Sequence, residues 1–321
     1  MKAIVHDEYG SLDLLELRDI EEPAVGDDQV LVRAHAAGLH VGDCFSVRGA
    51  PLVMRFATGL LKPKRGVPGF DVAGRVEAVG KNVKVFRPGD EVFGACNGAC
   101  AELVCVEQDT LAEKPSRLSF EQAAAIPTSA LAALHALRDV AKLQPGQEVL
   151  INGASGGVGT YAVQIAKSLG AQVTGVCSTT NVELVLGIGA DHVIDYAQAD
   201  FTTGQQRYDL IFDNVENRSL SELRRALTPR GMLILNSGTG AQGIAMMVRL
   251  VKPLLLSPFV SHDLCRYLSV PNHNDLLVLK DLVDSGELTP AIDRIYPLDQ
   301  TPAALAYVEG GHARGKVIVR I

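Results

Sequence analysis

Apolar and polar positions follow two different patterns along the chain, and the change between them falls near residue 123. Up to that point, short apolar or alternating runs are separated by turn signals such as Arg87-Pro88-Gly89-Asp90, which is typical of β-strands. From 124 to about 262, apolar runs alternate with segments of helical periodicity, and this alternation predicts a parallel, doubly wound sheet. Beyond 262 the pattern predicts a helix, a strand, a second helix and a closing strand. The sequence therefore predicts an α/β protein that begins with a compact, β-barrel-like domain.

The transition between the two patterns carries a signal for the start of a helix. Ser119 followed by Gln122 has the spacing of a capping box, in which each side chain accepts a hydrogen bond from the other residue's backbone. An alanine-rich stretch follows and predicts a helix beyond Pro127. We therefore expect a domain boundary between 123 and 124.

A glycine-rich turn stands at the centre of the alternating region. The apolar run Val149–Ile151 stops at Gly153, Gly156 and Gly159, and a helical pattern and a second apolar run follow. Glycine allows a tight turn and lets the backbone approach a pyrophosphate, while the start of the helix offers free N–H groups. This context indicates a dinucleotide site, although a glycine-rich turn that binds nothing is the alternative.

Composition excludes several classes of function. With 47% hydrophobic and 21% charged residues the chain can bury a large core, and its formal net charge of -7 argues against nucleic acid as the main partner. No apolar run approaches the roughly 18 residues of a membrane span. The amino-terminal residues lack a signal-like apolar stretch, so we expect a cytoplasmic protein whose cysteines are thiols. Cys96, Cys100 and Cys105 lack the spacing of zinc ligands, and we expect no structural metal.

Several motifs together resemble the medium-chain dehydrogenase/reductases, in their zinc-free quinone oxidoreductase-like branch. The resemblance is carried by PGFDVAGRVEAVG (68–80), FRPGDEVFG (86–94), LQPGQEVLINGASGGVGTYAVQIAK (143–167), GADHVIDY (189–196) and GKVIV (315–319). It implies a GroES-like catalytic domain built from residues 1–123 and 263–321, with a Rossmann domain inserted at 124–262. It also implies a cofactor in the cleft between the domains and a homodimeric assembly.

The resemblance separates this chain from zinc-dependent relatives. Those proteins carry Gly-His-Glu where this chain has Gly69-Phe70-Asp71, and phenylalanine cannot ligate a metal. Cys44 lies near the position of the family's first catalytic zinc cysteine, but one cysteine is not a site. Without a Lewis acid, hydride addition to an enone, an enal or a quinone is easier than oxidation of an alcohol. We therefore expect an NAD(P)H-dependent reductase with a small-molecule substrate.

The residues after the second strand of the nucleotide-binding region decide the ribose contact. NAD-binding proteins of this fold place an Asp or Glu about 20 residues beyond the glycines. Here Ser178, Thr179, Thr180 and Asn181 supply no carboxylate, which favours NADP. Family members often carry Arg or Lys at or near Thr180, which this chain lacks, so we expect NADPH to be preferred but poorly discriminated from NADH. Tyr196 is a second candidate for this pocket, unless it is only a half-buried tyrosine at a strand end.

The resemblance also assigns contacts along the cofactor. The pyrophosphate is expected at Gly153, Ser155, Gly156, Gly157, Val158 and Gly159, and the adenosine ribose at Ser178, Thr179, Thr180 and Asn181. Asn214, Val215, Asn236 and Ser237 follow predicted parallel strands and are expected on the nicotinamide side, with ordinary turn chemistry as the alternative. Lys316 either reaches the cofactor or caps the last strand.

Two polar residues are candidates for catalysis. His40 stands where relatives often have Asn, and it can donate to a substrate carbonyl oxygen or merely bond the cofactor ribose or nearby backbone. Asp43 is the second candidate, either as an acid or as a structural acceptor for loop N–H groups. Phe45 replaces a tyrosine of relatives and cannot donate a proton, so the final proton is expected from water.

Two other functions are compatible with these observations. The chain could be an alcohol or carbonyl dehydrogenase that works without metal, or a non-catalytic NADPH-binding sensor, since the usual tyrosine and cation are both missing.

Overall fold

The computed structural model describes residues 1–50, 52, 55, 59–64, 66–236, 257 and 260–321. The strands run in chain order as β1 (Lys2–Val5), β2 (Glu16–Asp19), β3 (Gln29–Leu39), β4 (Asp71–Val79), β5 (Glu91–Ala95), β6 (Leu103–Glu107), β7 (Leu111–Glu113), β8 (Glu148–Asn152), β9 (Gln172–Cys177), β10 (His192–Asp195), β11 (Tyr208–Asp213), β12 (Leu227–Leu235), β13 (Asp263–Cys265), β14 (Ile292–Pro297) and β15 (Lys316–Arg320). The α-helices are α1 (Val41–Arg48), α2 (Phe120–Ala124), α3 (Pro127–Leu134), α4 (Gly159–Ser168), α5 (Val182–Gly187), α6 (Leu220–Ala226), α7 (His273–Ser285) and α8 (Thr301–Glu309).

The described residues form two compact units. The first contains residues Met1–Leu131, Val270–Gly286 and Pro290–Ile321. The second contains the described residues of Ala132–Ser269, together with Glu287–Thr289. The first unit is thus assembled from both ends of the chain.

The first unit is built on a mixed sheet in which β3 is the central strand. In the described part of the chain its strand order is β14-β15-β3-β4-β5-β7, and β6 also pairs with β3. The closing strand β15 lies antiparallel to β3, with Val317 opposite Leu39, so the end of the chain completes this sheet. Alternating apolar residues of these strands, such as Val30, Val32 and Val92, are fully buried in one core. The β-rich domain predicted from the sequence is present.

The second unit contains the parallel sheet that the alternating pattern predicts. Its order is β10-β9-β8-β11-β12-β13, and every pair is parallel. The chain leaves β8 first towards β9 and β10, and later returns to β11 on the other side. The carboxyl ends of β8 and β11 therefore flank the point where the winding reverses, which is where open α/β sheets bind ligands. The Rossmann-type fold expected from the sequence is confirmed.

The helices begin where local sequence signals place them. The Ser119–Gln122 capping box at the start of α2 is present, with the Gln122 N–H donating to Ser119 Oγ at 3.2 Å and the Ser119 N–H donating to Gln122 Oε1 at 3.0 Å. Helix α4 buries the predicted apolar residues Ala162 and Ile165 completely, but residues 159–166 are all buried, so the helix is enclosed on every side rather than on one face. A membrane-crossing helix, long and apolar enough to span a bilayer, is not found in the described ranges.

Candidate functional site

The glycine-rich turn after β8 is held tightly to its neighbouring strand. The backbone N–H groups of Gly153 and Ala154 both donate to the carbonyl oxygen of Val176, at 3.1 and 3.0 Å. Gly153 has φ of 78°, a left-handed conformation that favours glycine. The turn closes where the Gly156 N–H donates to Gly153 O at 3.1 Å. Helix α4 then begins at Gly159, and its Thr160 N–H donates to Gly156 O at 3.0 Å. The N–H groups of Gly157 and Val158, just before the helix, have no hydrogen-bond partner among the described residues.

Two further glycines of this turn, Gly156 and Gly159, differ in what surrounds them. A Cβ atom at Gly159 would lie 2.0 Å from Gly153 O, so a side chain there is incompatible with the packing of the helix start against the turn. Among the described residues, a Cβ at Gly156 would meet only Gly153 O, at 3.4 Å, which is an ordinary contact. The described residues therefore leave room for a side chain at Gly156, and the same room suits a bound pyrophosphate. Gly157 and Val158 connect this position to the helix.

The loop after β9 is joined to the glycine turn by a side-chain hydrogen bond. Asn181 donates through Nδ2 to Ser155 Oγ at 3.0 Å, which links two groups of residues that the sequence assigns to the same cofactor. Asn181 is only 8% exposed, and its Oδ1 is buried without a hydrogen-bond partner among the described residues. An orphaned acceptor of this kind fits a donor group supplied by a ligand. Ser178 and Thr180 lie beside it, with their hydroxyl oxygens 3.2 Å apart.

A carboxylate missed by the sequence analysis lies beside the same loop. Asp195 ends β10, which runs parallel to β9 and pairs Asp195 with Cys177, so its side chain lies next to the tip of β9. Thr179 Oγ1 donates to Asp195 Oδ2 at 2.6 Å. This hydrogen bond, together with the N–H of Ala197, lowers the pKa of the Asp195 carboxyl, so it is ionised at neutral pH. The signal was available in the VIDY motif, but it becomes visible only when neighbouring strands are considered together.

Tyr196 directly follows this carboxylate. Its N–H donates to the Cys177 carbonyl oxygen at 3.1 Å, and 54% of the residue is exposed. The exposed ring is available for stacking at the end of β9, where the ribose contact is expected.

The carboxyl ends of β8 and β11 carry a buried polar cluster. Asp213 is fully buried, and its Oδ1 accepts from Asn152 Nδ2 at 2.8 Å and from the N–H groups of Val215 and Glu216 at 3.0 and 2.9 Å. Burial raises the pKa of the Asp213 carboxyl, although the hydrogen bonds from Glu216, Val215 and Asn152 oppose this effect. The cluster shapes the turn that presents Asn214 and Val215.

The predicted nicotinamide-side residues are brought together at this edge of the sheet. Asn236 Nδ2 donates to Asn214 Oδ1 at 2.8 Å, and Asn214 Nδ2 donates to the Asn152 carbonyl oxygen at 3.3 Å. Val215 is 36% exposed beside them. Ser237, the fourth predicted contact, lies outside the described residues.

In the first unit, His40 and Asp43 form a capping box at the start of α1. Asp43 is fully buried, with Oδ2 accepting from the His40 N–H at 2.8 Å and Oδ1 accepting from the Gly69 N–H at 2.9 Å. Burial raises the pKa of the Asp43 carboxyl. These contacts correspond to the structural-acceptor role that the sequence left open, and they connect α1 to the Gly69-Phe70-Asp71 segment.

One nitrogen of the His40 ring accepts a hydrogen bond, and the other has no hydrogen-bond partner among the described residues. Nδ1 accepts from the Gly42 N–H at 3.0 Å, so a neutral ring carries its proton on Nε2. Nε2 is buried, has no hydrogen-bond partner within the described part of the chain, and lies 3.9 Å from Asp43 Oδ2. The ring stacks on Phe70 at a centroid distance of 5.1 Å. His40 is therefore held as an oriented donor.

The side chains at the metal positions of zinc-dependent relatives do not suit zinc. Phe70 has no ligating atom, and the Cys44 thiol is fully buried, donates to Leu305 O at 3.4 Å and has its pKa raised to about 12 by burial. Across the residues that the structure describes, no group of three His, Cys, Asp or Glu side chains is arranged to hold a metal ion.

Lys316 has contacts that neither predicted role describes. Its residue is 1% exposed, and Nζ lies 3.0 Å from Ser129 Oγ and 3.3 Å from Asp71 Oδ2. Asp71 Oδ1 in turn accepts from the Thr128 N–H at 2.9 Å. The ammonium is thus enclosed within the first unit by Ser129 and Asp71.

Comparison with known proteins supports the GroES-like and Rossmann-type parts of the fold. Residues 26–116 match the family model of the alcohol dehydrogenase GroES-like domain, and residues 188–319 match that of the zinc-binding dehydrogenases. The chain is 31% identical to 2-methylene-furan-3-one reductase of Solanum lycopersicum, over 99% of this chain and 79% of that protein. It is also 31% identical to a chloroplastic NADPH-dependent alkenal/one oxidoreductase of Arabidopsis thaliana, with the same coverage of 99% and 79%.

A solved structure supports the same assignment. The quinone oxidoreductase from Coxiella burnetii is 31% identical, superposes with a TM-score of 0.86, and is matched over 100% of this chain and 99% of that one. With its GroES-like and Rossmann-type parts and these relatives, which match 99% or more of its length, the chain belongs to the medium-chain dehydrogenase/reductase superfamily, in its quinone oxidoreductase-like branch.

Proposed function

We propose that this protein is an NADPH-dependent oxidoreductase that reduces an activated C=C bond of an enone or enal, or a quinone, without a metal ion. The observation that carries the proposal is the combination of an open cradle at Gly156 with an orphaned acceptor at Asn181 and an amide pair at Asn214 and Asn236. These groups follow the carboxyl ends of successive parallel strands. The similar reductases of tomato, Arabidopsis and Coxiella support the reaction class.

The cofactor supplies a hydride from its nicotinamide ring. In this proposal the glycine turn and the start of α4 bind the pyrophosphate through backbone N–H groups. The adenosine ribose is held by the loop after β9, through Ser178, Thr179, Thr180 and Asn181, with Tyr196 beside them. Asn214, Val215 and Asn236 orient the nicotinamide end.

His40 is the proposed donor to the substrate. Its Nε2–H, which lacks a partner among the described side chains, would donate a hydrogen bond to the carbonyl oxygen where negative charge develops. Asp43 positions this ring by fixing the His40 backbone and the start of α1. The proton that completes the reaction comes from water in this scheme, because Phe45 cannot supply one.

The test is turnover with defined acceptors. Purified protein is mixed with NADPH, and separately with NADH, and nicotinamide absorbance is followed against a panel of enones, enals and quinones. Rapid loss of absorbance with one class is expected. NADPH binding without turnover of any acceptor would contradict the proposal and favour a sensor, while oxidation of a saturated alcohol with NADP would favour a dehydrogenase.

We further propose that the protein is a cytoplasmic homodimer. All six cysteines are thiols, as a reducing compartment allows, and homodimerisation is the expectation from the family resemblance. Light scattering coupled to size exclusion is expected to give twice the mass of 34.2 kDa, and a monomeric mass would contradict the dimer.

A further inference from the structure

Two residues that follow the edge strand β13 contact the predicted nicotinamide-side residues. Arg266 and Tyr267 come directly after Cys265, at the carboxyl end of the strand. Neither residue carries a motif, and the sequence analysis passed over both. In the folded unit, each makes side-chain hydrogen bonds to a different strand end of the same parallel sheet.

Arg266 binds the turn after β11. Its Nη1 donates to Glu216 Oε1 at 2.9 Å and its Nη2 donates to Glu216 Oε2 at 2.5 Å, a bidentate ion pair. The Arg266 side chain is 14% exposed and the Glu216 side chain is 5% exposed, so solvent screens the pair weakly. Glu216 has φ of 56°, a left-handed conformation that is uncommon for a residue with a side chain. The ion pair stabilises this conformation, and it therefore fixes the turn that carries Asn214 and Val215.

Tyr267 binds the end of β12. Its hydroxyl lies 3.0 Å from Asn236 Oδ1 and 2.7 Å from the Ala132 carbonyl oxygen, and its ring packs at 6.5 Å from that of Phe212. Burial raises the pKa of the Tyr267 phenol, so it remains a proton donor at all working pH values.

Tyr267 lies at one end of a series of amide hydrogen bonds whose direction is set at the other end. The series ends at the Asn152 carbonyl oxygen, which can only accept, so Asn214 must present Nδ2 to it. Asn214 Oδ1 then accepts from Asn236 Nδ2, and Asn236 Oδ1 is left facing the Tyr267 hydroxyl. The hydrogen bonds thus run in one direction from Tyr267 to Asn152. The Tyr267 hydroxyl has one proton, which it shares between the Ala132 carbonyl oxygen at 2.7 Å and Asn236 Oδ1 at 3.0 Å. Without the phenol, Asn236 Oδ1 loses this contact and the Asn236 side chain is held only through its Nδ2 bond to Asn214.

We propose that Arg266 and Tyr267 are positioning residues for the nicotinamide end of the cofactor, Arg266 through Glu216 and the Asn214–Val215 turn, and Tyr267 through Asn236. This inference rests on the proposed cofactor site. It predicts that the two side chains affect binding of the nicotinamide half of the cofactor and leave binding of the adenosine half unchanged.

The test compares two ligands that differ at the nicotinamide end. Affinity of the full-length protein is measured for NADPH and for 2′-phospho-ADP-ribose, which retains the adenosine and pyrophosphate but lacks the nicotinamide. Tyr267→Phe is expected to weaken NADPH binding roughly 2- to 10-fold, the effect of one lost hydrogen bond, and to lower kcat with the best acceptor by a similar factor. Affinity for the fragment is expected to stay at the wild-type value.

The matched control is Tyr208→Phe. Tyr208 is 2% exposed at the opposite, amino-terminal end of β11, and its hydroxyl bonds Thr174. This change removes a buried phenol hydroxyl from the same sheet, and it should alter stability without changing the ratio of the two affinities. Arg266→Lys is the second variant, since it keeps the charge but loses the bidentate geometry, and it should shift the ratio in the same direction as Tyr267→Phe.

Equal losses for both ligands, or no change for either, would overturn the positioning role. The binding ratio does not depend on turnover. A wild-type protein that reduces no acceptor would therefore contradict the proposed reaction while the ratio still decides the role of Tyr267 and Arg266.

Discussion

Single residues in the turn after β8 have roles that the sequence pattern alone does not separate. Gly159 is required by packing, because its missing Cβ allows Gly153 O to approach the helix start. Gly156 has no such neighbour among the described residues, and in the proposed cofactor site it lies where the pyrophosphate binds. In that proposal the motif combines one structural and one ligand-related glycine.

Substitutions at these two glycines should have opposite effects. Gly156→Asp is expected to leave thermal stability nearly unchanged and to weaken NADPH binding at least tenfold, because its carboxylate repels the pyrophosphate at close range. Gly159→Ala is expected to lower stability by about 1–3 kcal/mol through overpacking. Fluorescence titration and thermal melting measure the two effects.

Gly204→Asp is the control for the first of these variants. Gly204 lies before β11, near the amino-terminal edge of the sheet, and a Cβ there meets only the Gln206 nitrogen at 4.0 Å. The Gly204→Asp variant adds the same negative charge, but away from the glycine turn. Unchanged NADPH affinity in Gly156→Asp would contradict the assignment of the pyrophosphate site.

Asp195 changes the expectation for cofactor choice. Its ionised carboxylate is hydrogen-bonded to Thr179, close to where a 2′-phosphate would bind, and like charges repel. Asp195→Asn is expected to raise kcat/KM for NADPH relative to NADH by roughly two- to fivefold, the size of a partly screened charge interaction.

Asp263→Asn provides the comparison for charge alone. Asp263 is exposed at the amino-terminal end of β13, so the substitution removes one negative charge from the opposite edge of the sheet. If Asp195→Asn and Asp263→Asn change the NADPH-to-NADH ratio equally, Asp195 has no specific role in cofactor choice.

At the scale of elements, the ends of helices and strands are tied together by side chains as well as by backbone hydrogen bonds. Asp191 illustrates this, because it accepts from Lys167 Nζ near the end of α4, at 2.7 Å, and from the Val173 N–H in β9, also at 2.7 Å. Burial alone would raise the pKa of the Asp191 carboxyl, but the hydrogen bonds from Lys167 and Val173 outweigh it and the pKa is lowered.

This lowered pKa predicts a specific acid sensitivity. A carboxyl group whose pKa is lower in the folded state contributes stability above its unfolded pKa of about 4, and that contribution is lost as pH falls through the folded pKa. Asp191→Asn should therefore be less stable than wild type at pH 7, and the difference should shrink below about pH 4. Urea unfolding at several pH values measures this. A difference that is independent of pH would contradict the linkage.

At the scale of the whole molecule, the first unit depends on contacts between segments at opposite ends of the sequence. Lys316 and Asp71 are 245 positions apart, yet they form an ion pair that is 1% and 0% exposed. Removing one member of such a pair leaves the other charge buried without its counter-ion.

Variants of this pair should show strong coupling. Lys316→Met is expected to lower the free energy of unfolding by roughly 3–5 kcal/mol, and combining it with Asp71→Asn should cost less than the sum of the single changes. Arg320→Met is the control on the same strand, since its pair with Glu121 is 62% and 21% exposed and should contribute at most about 1 kcal/mol. Denaturant unfolding gives these values, and additive losses would contradict direct coupling.

The sequence by itself determined the elements and the family. Helix α7 follows from the spacing of apolar residues, because burial of one face, with Leu276, Leu279 and Val283 inside, imposes a period of about 3.6 on the chain. Strand β3 and helix α4 follow from their apolar composition, since both are buried on more than one side. The glycine turn, the Ser119 capping box and the parallel sheet follow from equally local signals. These features depend on residues that are close together in the sequence.

Only the tertiary structure decided which side chains meet. Asp195 reaches Thr179 because β10 lies beside β9, Tyr267 reaches Asn236 because β13 lies beside β12, and Lys316 reaches Asp71 through strand pairing across the first unit. Strand order and register place these groups within hydrogen-bond distance, and the spacing of apolar residues carries no information about a polar partner that is far away in the sequence. The turn residues were therefore predictable, whereas the side chains that orient them were not.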